Sequence, residues 1–105
     1  MQFQLNTDRT IEGSDRLAAQ VRSVVDAALD GIEPEITRVE VHLRDENADK
    51  GGPDDKRCLI EARIGGRDPL TVTHRADTVE LSVEGAGKKL RRVLEDALRE
   101  PTRPG

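Results

Sequence analysis

Five basic side chains in one segment near the C-terminus are the strongest chemical signal in this sequence of 105 residues. They are Lys88, Lys89, Arg91, Arg92 and Arg99. Basic residues along one helix can form a phosphate-binding surface, because each cation neutralises a backbone phosphate and releases a counterion. The nearby acids Glu95, Asp96 and Glu100 support a different interpretation, a solvated helix face whose charges balance. From composition alone, the solvated face is the better interpretation.

Residues that could carry out catalysis are few and separated. His42 and His74, the two histidines, each lie in a segment of alternating polar and apolar residues, where a histidine is usually structural. Cys58 lies in an apolar run, which favours a small core residue over a reactive thiol. The segment Gly85–Lys89 lacks the spacing and the terminal Ser or Thr of a phosphate-binding loop. We therefore predict a protein that is not an enzyme and uses no cofactor.

An acidic segment in the middle of the chain resembles the start of a calcium-binding loop. Asp45, Asn47 and Asp49 have the spacing of the first three ligands of an EF-hand. Lys50 stands where that loop needs glycine, and Lys56 stands where it needs a bidentate glutamate. We therefore predict no metal site here, and we interpret the segment as a mobile hairpin loop because it is rich in turn-forming residues.

The elements that would position these residues follow from hydrophobic periodicity. Alternating apolar and polar side chains predict strands, and these cover residues 1–7, 38–44, 56–64 and 70–75. A period near 3.6 residues predicts a first helix that begins at an N-cap, Ser14, and ends at Gly31, with Pro34 preventing its continuation. Its outer face is mostly acidic. The order of elements is therefore strand, helix, three strands and a final segment.

The final segment has two interpretations. An apolar stripe at helical spacing favours one helix from Asp77 to Arg99, with Asp77 as its N-cap. Strict alternation over Thr78–Glu84 instead favours a strand, followed by a turn and a shorter helix. Gly85 and Gly87 count against the long helix, because each glycine inside a helix costs about 1 kcal/mol relative to alanine. The pattern alone leaves the two interpretations nearly even.

Composition limits the class of protein. The length fits one small domain, which we place at residues 1–100, followed by a disordered tail at residues 101–105. Phe3 is the single aromatic residue of the Phe, Tyr and Trp class, which argues against binding modes that stack bases on aromatic rings. The net charge is −4, yet residues 56–105 hold eleven Lys and Arg against eight Asp and Glu. No signal peptide or membrane span is visible, so we expect a cytoplasmic protein without a membrane partner.

The order of elements and several residues resemble the ribosome hibernation promoting factor family, also called the sigma-54 modulation proteins. The segment Ile11–Leu17 resembles that family's sequence at the start of its first helix. In the last segment, matches without gaps fall at Val79, Val83, Lys89, Leu90, Arg92 and Leu94. The resemblance implies an α+β fold of order β-α-β-β-β-α, with a four-stranded sheet, two helices packed on one face and Asp77–Arg99 as one helix.

By the same resemblance, the domain would bind rRNA of the small ribosomal subunit in the channel used by mRNA and tRNA, and so inhibit translation or promote hibernation under stress. Lys89 and Arg92 match the family by position, and Lys88, Arg91, Arg99 and Arg75 are added as candidates from their charge and facing. The chain departs from the family at Glu80, where a tyrosine is usual. The alternative function is a protein–protein interaction module of the same fold. We expect a monomer or a weak homodimer.

Overall fold

Four strands form one mixed sheet, and two helices cover one face of it. The computed structural model describes residues 1–46 and 55–99. In chain order the elements are β1 (Gln2–Thr7), α1 (Asp15–Ala28), a short 3₁₀ turn (Glu33–Glu35), β2 (Ile36–Asp45), β3 (Lys56–Ile64), β4 (Leu70–Ala76) and α2 (Val79–Arg99). The predicted α+β order is therefore confirmed, and every predicted strand is present with small changes at its ends.

The strands lie side by side in chain order, β1-β2-β3-β4. Strand β1 is parallel to β2, with Phe3 opposite Val39 and Leu5 opposite Val41. The other two pairs are antiparallel. A parallel pair needs a crossover, and α1 supplies it between β1 and β2. Both edges of the sheet, β1 and β4, are therefore left without a further strand among the described residues.

The core lies between the sheet and the helices. Because side chains alternate across a strand, every second residue of β2 and β3 points at the helices. The strand residues buried there are Ile36, Val39, Val41, Leu43, Cys58, Ile60, Ala62, Ile64 and Val72. Helix α1 adds Val21 and Val25, and α2 adds the stripe Val83, Ala86, Leu90 and Leu94. Among the described residues, the opposite face of the sheet carries mostly polar side chains and is not covered by a helix.

Helix α1 begins where the sequence predicted, and it ends at Ala28, three residues before the predicted Gly31. The amide of Leu17 donates to Ser14 Oγ at 3.0 Å, so Ser14 is the N-cap. After the helix, Gly31 has a φ of +86°, a conformation that glycine adopts without the penalty of a Cβ. Pro34 then lies inside the 3₁₀ turn that leads into β2.

Helix α2 is one continuous helix, which decides between the two interpretations of the final segment. Leu81 lies on its outer side with 51% of its surface exposed, because it is off the apolar stripe of the helix. The predicted N-cap was wrong by one residue. The helix begins at Val79, so the capping position falls at Thr78, whose hydroxyl accepts from the amide of Leu81 at 3.1 Å. Asp77 lies one residue too early for its carboxylate to cap the first turn.

Two glycines inside α2 are explained by what lies against them. A Cβ at Gly85 would be 2.1 Å from Cδ2 of His74, whose ring packs from β4 against the helix backbone. A Cβ at Gly87 would be 3.0 Å from Cβ of Ala28 on α1. The glycines therefore let α2 approach both the sheet and the other helix closely, which offsets their poor helix propensity.

Two predictions from the sequence fall partly or wholly outside the described residues. The predicted mobile loop between β2 and β3 includes residues 47–54, and the predicted tail is residues 101–105; both ranges lie outside the residues that the structure describes. At the base of the loop, the amide of Glu46 donates to the carbonyl of Asp55 at 2.9 Å. Within residues 1–46 and 55–99, neither helix combines the length and the apolar character needed to cross a bilayer.

Candidate nucleic-acid interface

Three of the predicted phosphate-binding residues lie together on the exposed side of α2. Lys88 and Lys89 are consecutive, and Arg92 follows one helical turn after Lys88. All three line an open groove between α2 and β4. We call these three residues the α2 ridge. Neighbours at i and i+4 lie on one side of a helix, so the cations of Lys88 and Arg92 project in the same direction.

The members of the α2 ridge differ in their contacts. Lys89 Nζ donates to the backbone carbonyl of Thr73 on β4 at 2.9 Å, so its stem crosses the groove and closes part of it. Among the described residues, Lys88 and Arg92 form neither an ion pair nor a hydrogen bond through their side chains. Lys88 and Arg92 are therefore the two cations of α2 most available to an external anion.

Arg91 contacts the other helix, although part of its side chain stays exposed. Its Nη1 donates to the carbonyls of Ala28 at 2.9 Å and Asp30 at 2.8 Å, at the end of α1. Its Nε also pairs with Glu95 at 2.6 Å. Carbonyls at a helix C-terminus have no partner within the helix, and a cation there is favoured by the helix dipole. In this structure Arg91 joins the two helices.

Arg99 and Arg75 lie away from the α2 ridge. Arg99, in the last turn of α2, is 3.9 Å from Glu95 and 3.4 Å from Asp96. Arg75 is on the open face of the sheet, because its neighbour His74 points at α2 and side chains alternate along β4. It pairs with Glu46 at 3.0 Å. The structure therefore brings together three of the six candidate residues.

The open face of the sheet carries basic residues that the sequence reasoning did not select. Outward positions of β2 and β3 hold Arg38, Arg44, Arg57 and Arg63. The alternation in both strands already indicated that these side chains point outward. The signal that was missing is the register, because only the pairing of the strands shows which arginines are neighbours.

The single cysteine and one histidine lie side by side without forming a nucleophilic pair. Cys58 on β3 is directly opposite His74 on β4, and both point at α2. Burial raises the pKa of the Cys58 thiol to about 12, so it stays protonated at neutral pH. The thiolate is the reactive form, and Cys58 has no exposed surface. It is a core residue, as the sequence indicated.

No cluster of three metal-ligating side chains occurs among residues 1–46 and 55–99. His42 and His74 point to opposite faces of the sheet, since His42 is at an outward position of β2. The chemistry that the described surface supports best is therefore electrostatic: exposed cations on α2 and on the open sheet face, both suited to binding phosphate groups.

Comparison with known proteins identifies relatives of the whole domain. The family model described as sigma 54 modulation protein / S30EA ribosomal protein matches residues 6–100. A ribosomal subunit interface protein from Coxiella burnetii has a similar structure, with a TM-score of 0.79 at 13% identity; the match covers 95% of this chain and 100% of that one. The N-terminal domain of Protein Y from Thermus thermophilus gives a TM-score of 0.73 at 15% identity, over 92% and 99% of the two chains. A comparison with curated protein sequences gives no match.

Proposed function

Because the chain belongs to the sigma 54 modulation protein / S30EA ribosomal protein family, a family of ribosome-associated factors, we propose that it binds the small ribosomal subunit through rRNA phosphates. The binding place is the channel used by mRNA and tRNA. Occupation of that channel inhibits translation or holds ribosomes in hibernation during stress. The protein acts in the cytoplasm without catalysis, as a monomer or a weak homodimer.

The observation that carries this proposal is the pair Lys88 and Arg92. Both cations project from the same side of α2, and neither has a partner among the described residues. Surface ion pairs contribute little to stability, and unpaired exposed cations contribute less, so folding alone gives no reason for this cluster. An rRNA phosphate would satisfy the donors of both side chains, with Lys89 beside them.

The remaining candidates have smaller expected roles in binding. Arg91 already donates to two carbonyls of the α1 C-terminus, and Arg99 is near two carboxylates. A phosphate would have to compete with those partners. We therefore assign rRNA contact first to Lys88 and Arg92, then to Lys89, and treat Arg91 as a residue that fixes the angle between the helices.

The test replaces Lys88 and Arg92 together by glutamate and measures binding to purified small subunits at several salt concentrations. Two attractive charges become repulsive, so affinity falls. The slope of log affinity against log salt shrinks by about 0.7 to 0.9 for each phosphate that the variant no longer neutralises. The matched control is the double replacement Arg9→Glu and Arg16→Glu, which changes the net charge equally at exposed positions outside α2. Equal affinity and equal slope in the α2 variant and the unchanged chain would refute the proposal.

The same salt titration distinguishes rRNA binding from the alternative function, a protein–protein interaction module. A protein–protein interaction module would bind its partner with a weak salt dependence, and the α2 variant would release the same number of counterions as the unchanged chain. Strong binding to small subunits with a flat salt slope would favour that alternative over rRNA contact.

A further inference from the structure

Three arginines on neighbouring strands form a row across one end of the open sheet face. Arg44 on β2 is directly opposite Arg57 on β3, and Arg57 is directly opposite Arg75 on β4. We call Arg44, Arg57 and Arg75 the arginine row. Like charges directly opposite each other on neighbouring strands destabilise a sheet. The row therefore works against folding unless something outside the strands compensates it.

Within the part of the chain that the structure describes, the arginine row has fewer carboxylate partners than guanidinium groups. Glu46 is shared, lying 3.5 Å from Arg57 and 3.0 Å from Arg75. Asp8 lies 3.9 Å from Arg44, at the limit of an ion pair. The Asp8 carboxylate already accepts from the hydroxyl and the amide of Thr10, and these hydrogen bonds, more than Arg44, hold its pKa below the usual value. Among residues 1–46 and 55–99, two carboxylates thus serve three guanidinium groups, each of which has five N–H donors.

The other end of the same face is balanced, which makes the arginine row distinctive. Arg38 lies 2.8 Å from Glu40, and Arg63 lies 3.6 Å from Glu61. Each of these arginines therefore has an acid of its own on the same strand. Counted over the described residues, the excess of positive charge on the open face is at the end where the row lies.

An open cavity of about 380 Å³ lies next to the row, with Arg44 and Arg57 in its wall. Asn6, His42 and Leu59, which are paired in register across three strands, contribute an amide, an imidazole and an apolar side chain to the same wall, which also includes the carboxylate of Asp8. They lie two residues along the strands from the row, or roughly 7 Å. A polar and apolar wall beside a row of cations has the composition that a nucleotide needs: donors for the phosphate and mixed contacts for a base.

We propose that the open sheet face binds single-stranded RNA, with the phosphates on the arginine row and an unstacked base in the adjacent cavity. The proposal rests on the proposed function in taking RNA as the ligand, but it uses a different surface. Bound phosphates replace Glu46 as the partners of Arg57 and Arg75. Single-stranded RNA is favoured over a duplex because paired bases are stacked in a helix and would not enter the cavity.

The test measures binding of a fluorescently labelled 12-nucleotide oligouridylate to the full chain by anisotropy, at several salt concentrations. Arg57→Gln is expected to weaken binding and to reduce the salt slope by about 0.7, the value for one phosphate contact on a single strand. Glu46→Gln is expected to strengthen binding, because it releases two guanidinium groups from their internal partner. General attraction by charge would give the same two directions, so the two models are distinguished by a change of equal charge at the balanced end of the face.

The matched control is Arg63→Gln, which removes the same charge from the same strand and face but at the balanced end. It is expected to leave the affinity within about two-fold, the scale of a small surface perturbation. Equal effects of Arg57→Gln and Arg63→Gln, or weaker binding by Glu46→Gln, would overturn the proposal. A 12-base-pair RNA duplex that binds as tightly as the single strand would also overturn it. Circular dichroism of each variant confirms that the fold is retained.

The two proposals fail independently. Replacing Lys88 and Arg92 by glutamate is expected to lower small-subunit binding while the Arg57→Gln and Glu46→Gln effects on oligonucleotide binding persist. If oligonucleotide binding does not respond to Arg57 and Glu46 while the α2 variant still has a reduced small-subunit affinity, the sheet site is refuted and the proposed function remains. The reverse pattern would refute rRNA contact by the α2 ridge and leave the sheet site in place.

Discussion

Replacing Gly85 by alanine isolates the contact that allows α2 to lie close to the sheet. The added Cβ would be 2.1 Å from Cδ2, 2.3 Å from Nε2 and 2.6 Å from Cγ of His74. Unstrained contacts between such atoms are about 3.5–4.0 Å, so the overlap with the nearest ring atom is roughly 1.5 Å. Turning the ring about its own axis does not help, because Cγ lies on that axis. The helix must move away from β4, or His74 must leave its rotamer.

The expected size of the effect combines two opposing terms. Overpacking a core contact typically costs about 1–3 kcal/mol. Alanine in place of glycine within a helix stabilises the folded state by about 1 kcal/mol through its higher helix propensity. The net expectation for Gly85→Ala is therefore a decrease of up to roughly 2 kcal/mol in the free energy of unfolding. Urea denaturation followed by circular dichroism at the helix band measures it, since the chain has no Trp or Tyr to report by fluorescence.

Two further variants show whether His74 is the cause. In the His74→Ala background the obstacle is gone, so adding Gly85→Ala is expected to raise stability by about 1 kcal/mol through helix propensity alone. Gly65→Ala is the matched control, because a Cβ there meets nothing within 4 Å and the φ is not positive; it is expected to be neutral or stabilising by about 0.4–1 kcal/mol. If Gly85→Ala stabilises the chain with His74 present, the packing argument is wrong.

Three other outcomes follow from burial and hydrogen bonding. Leu90→Ala should lower the free energy of unfolding by roughly 2–5 kcal/mol, measured by urea denaturation, because Leu90 is fully buried. Leu81→Ala, at an exposed position, should change it by no more than about 0.5 kcal/mol. Arg91→Gln should lower the free energy of unfolding by about 1–3 kcal/mol, because it removes two hydrogen bonds to the end of α1. Arg92→Gln should change it by less than about 0.5 kcal/mol. Equal effects of the two variants would contradict the assigned contacts. Cys58, with its pKa raised to about 12, should not react with a thiol reagent at mildly alkaline pH in the native state, and its reaction should follow the unfolded fraction as urea is added.

The elements could be predicted from the sequence because their signals are local. The stripe through Val83, Leu90 and Leu94 and the alternation in β2 and β3 each depend on residues a few positions apart. The final segment was ambiguous for a physical reason: Gly85 and Gly87 oppose a helix locally, and what offsets them, His74 on β4 and Ala28 on α1, is distant in the chain. The N-cap was misplaced by one residue, since Asp77 and Thr78 are both good caps and only the backbone path distinguishes them.

The candidate site was harder to predict than the fold. Helical spacing indicates that Arg91 is near the edge of the apolar stripe, but not that the end of α1 supplies two carbonyls to it. Charge alone therefore grouped Arg91 with Lys88 and Arg92, although its contacts differ. Arg75 was added for its charge, and the strand register is needed to see that its neighbour is Arg57 and not the α2 ridge. Pairing across strands is a non-local property that a single sequence does not display.

A net charge of −4 does not prevent this domain from binding RNA, because screening makes the local charge decisive. At physiological ionic strength the electrostatic screening length is about 8 Å. The domain measures 24 and 20 Å along its two shorter axes, so charges on opposite sides are separated by more than two such lengths. A phosphate at Lys88 and Arg92 therefore responds mainly to the α2 ridge, and one at the arginine row responds to the row itself and to Glu46. The acids that set the net charge weaken phosphate binding only where they lie beside a cation. Glu46 lies beside Arg57 and Arg75, so it affects binding more than the acidic composition of the chain does.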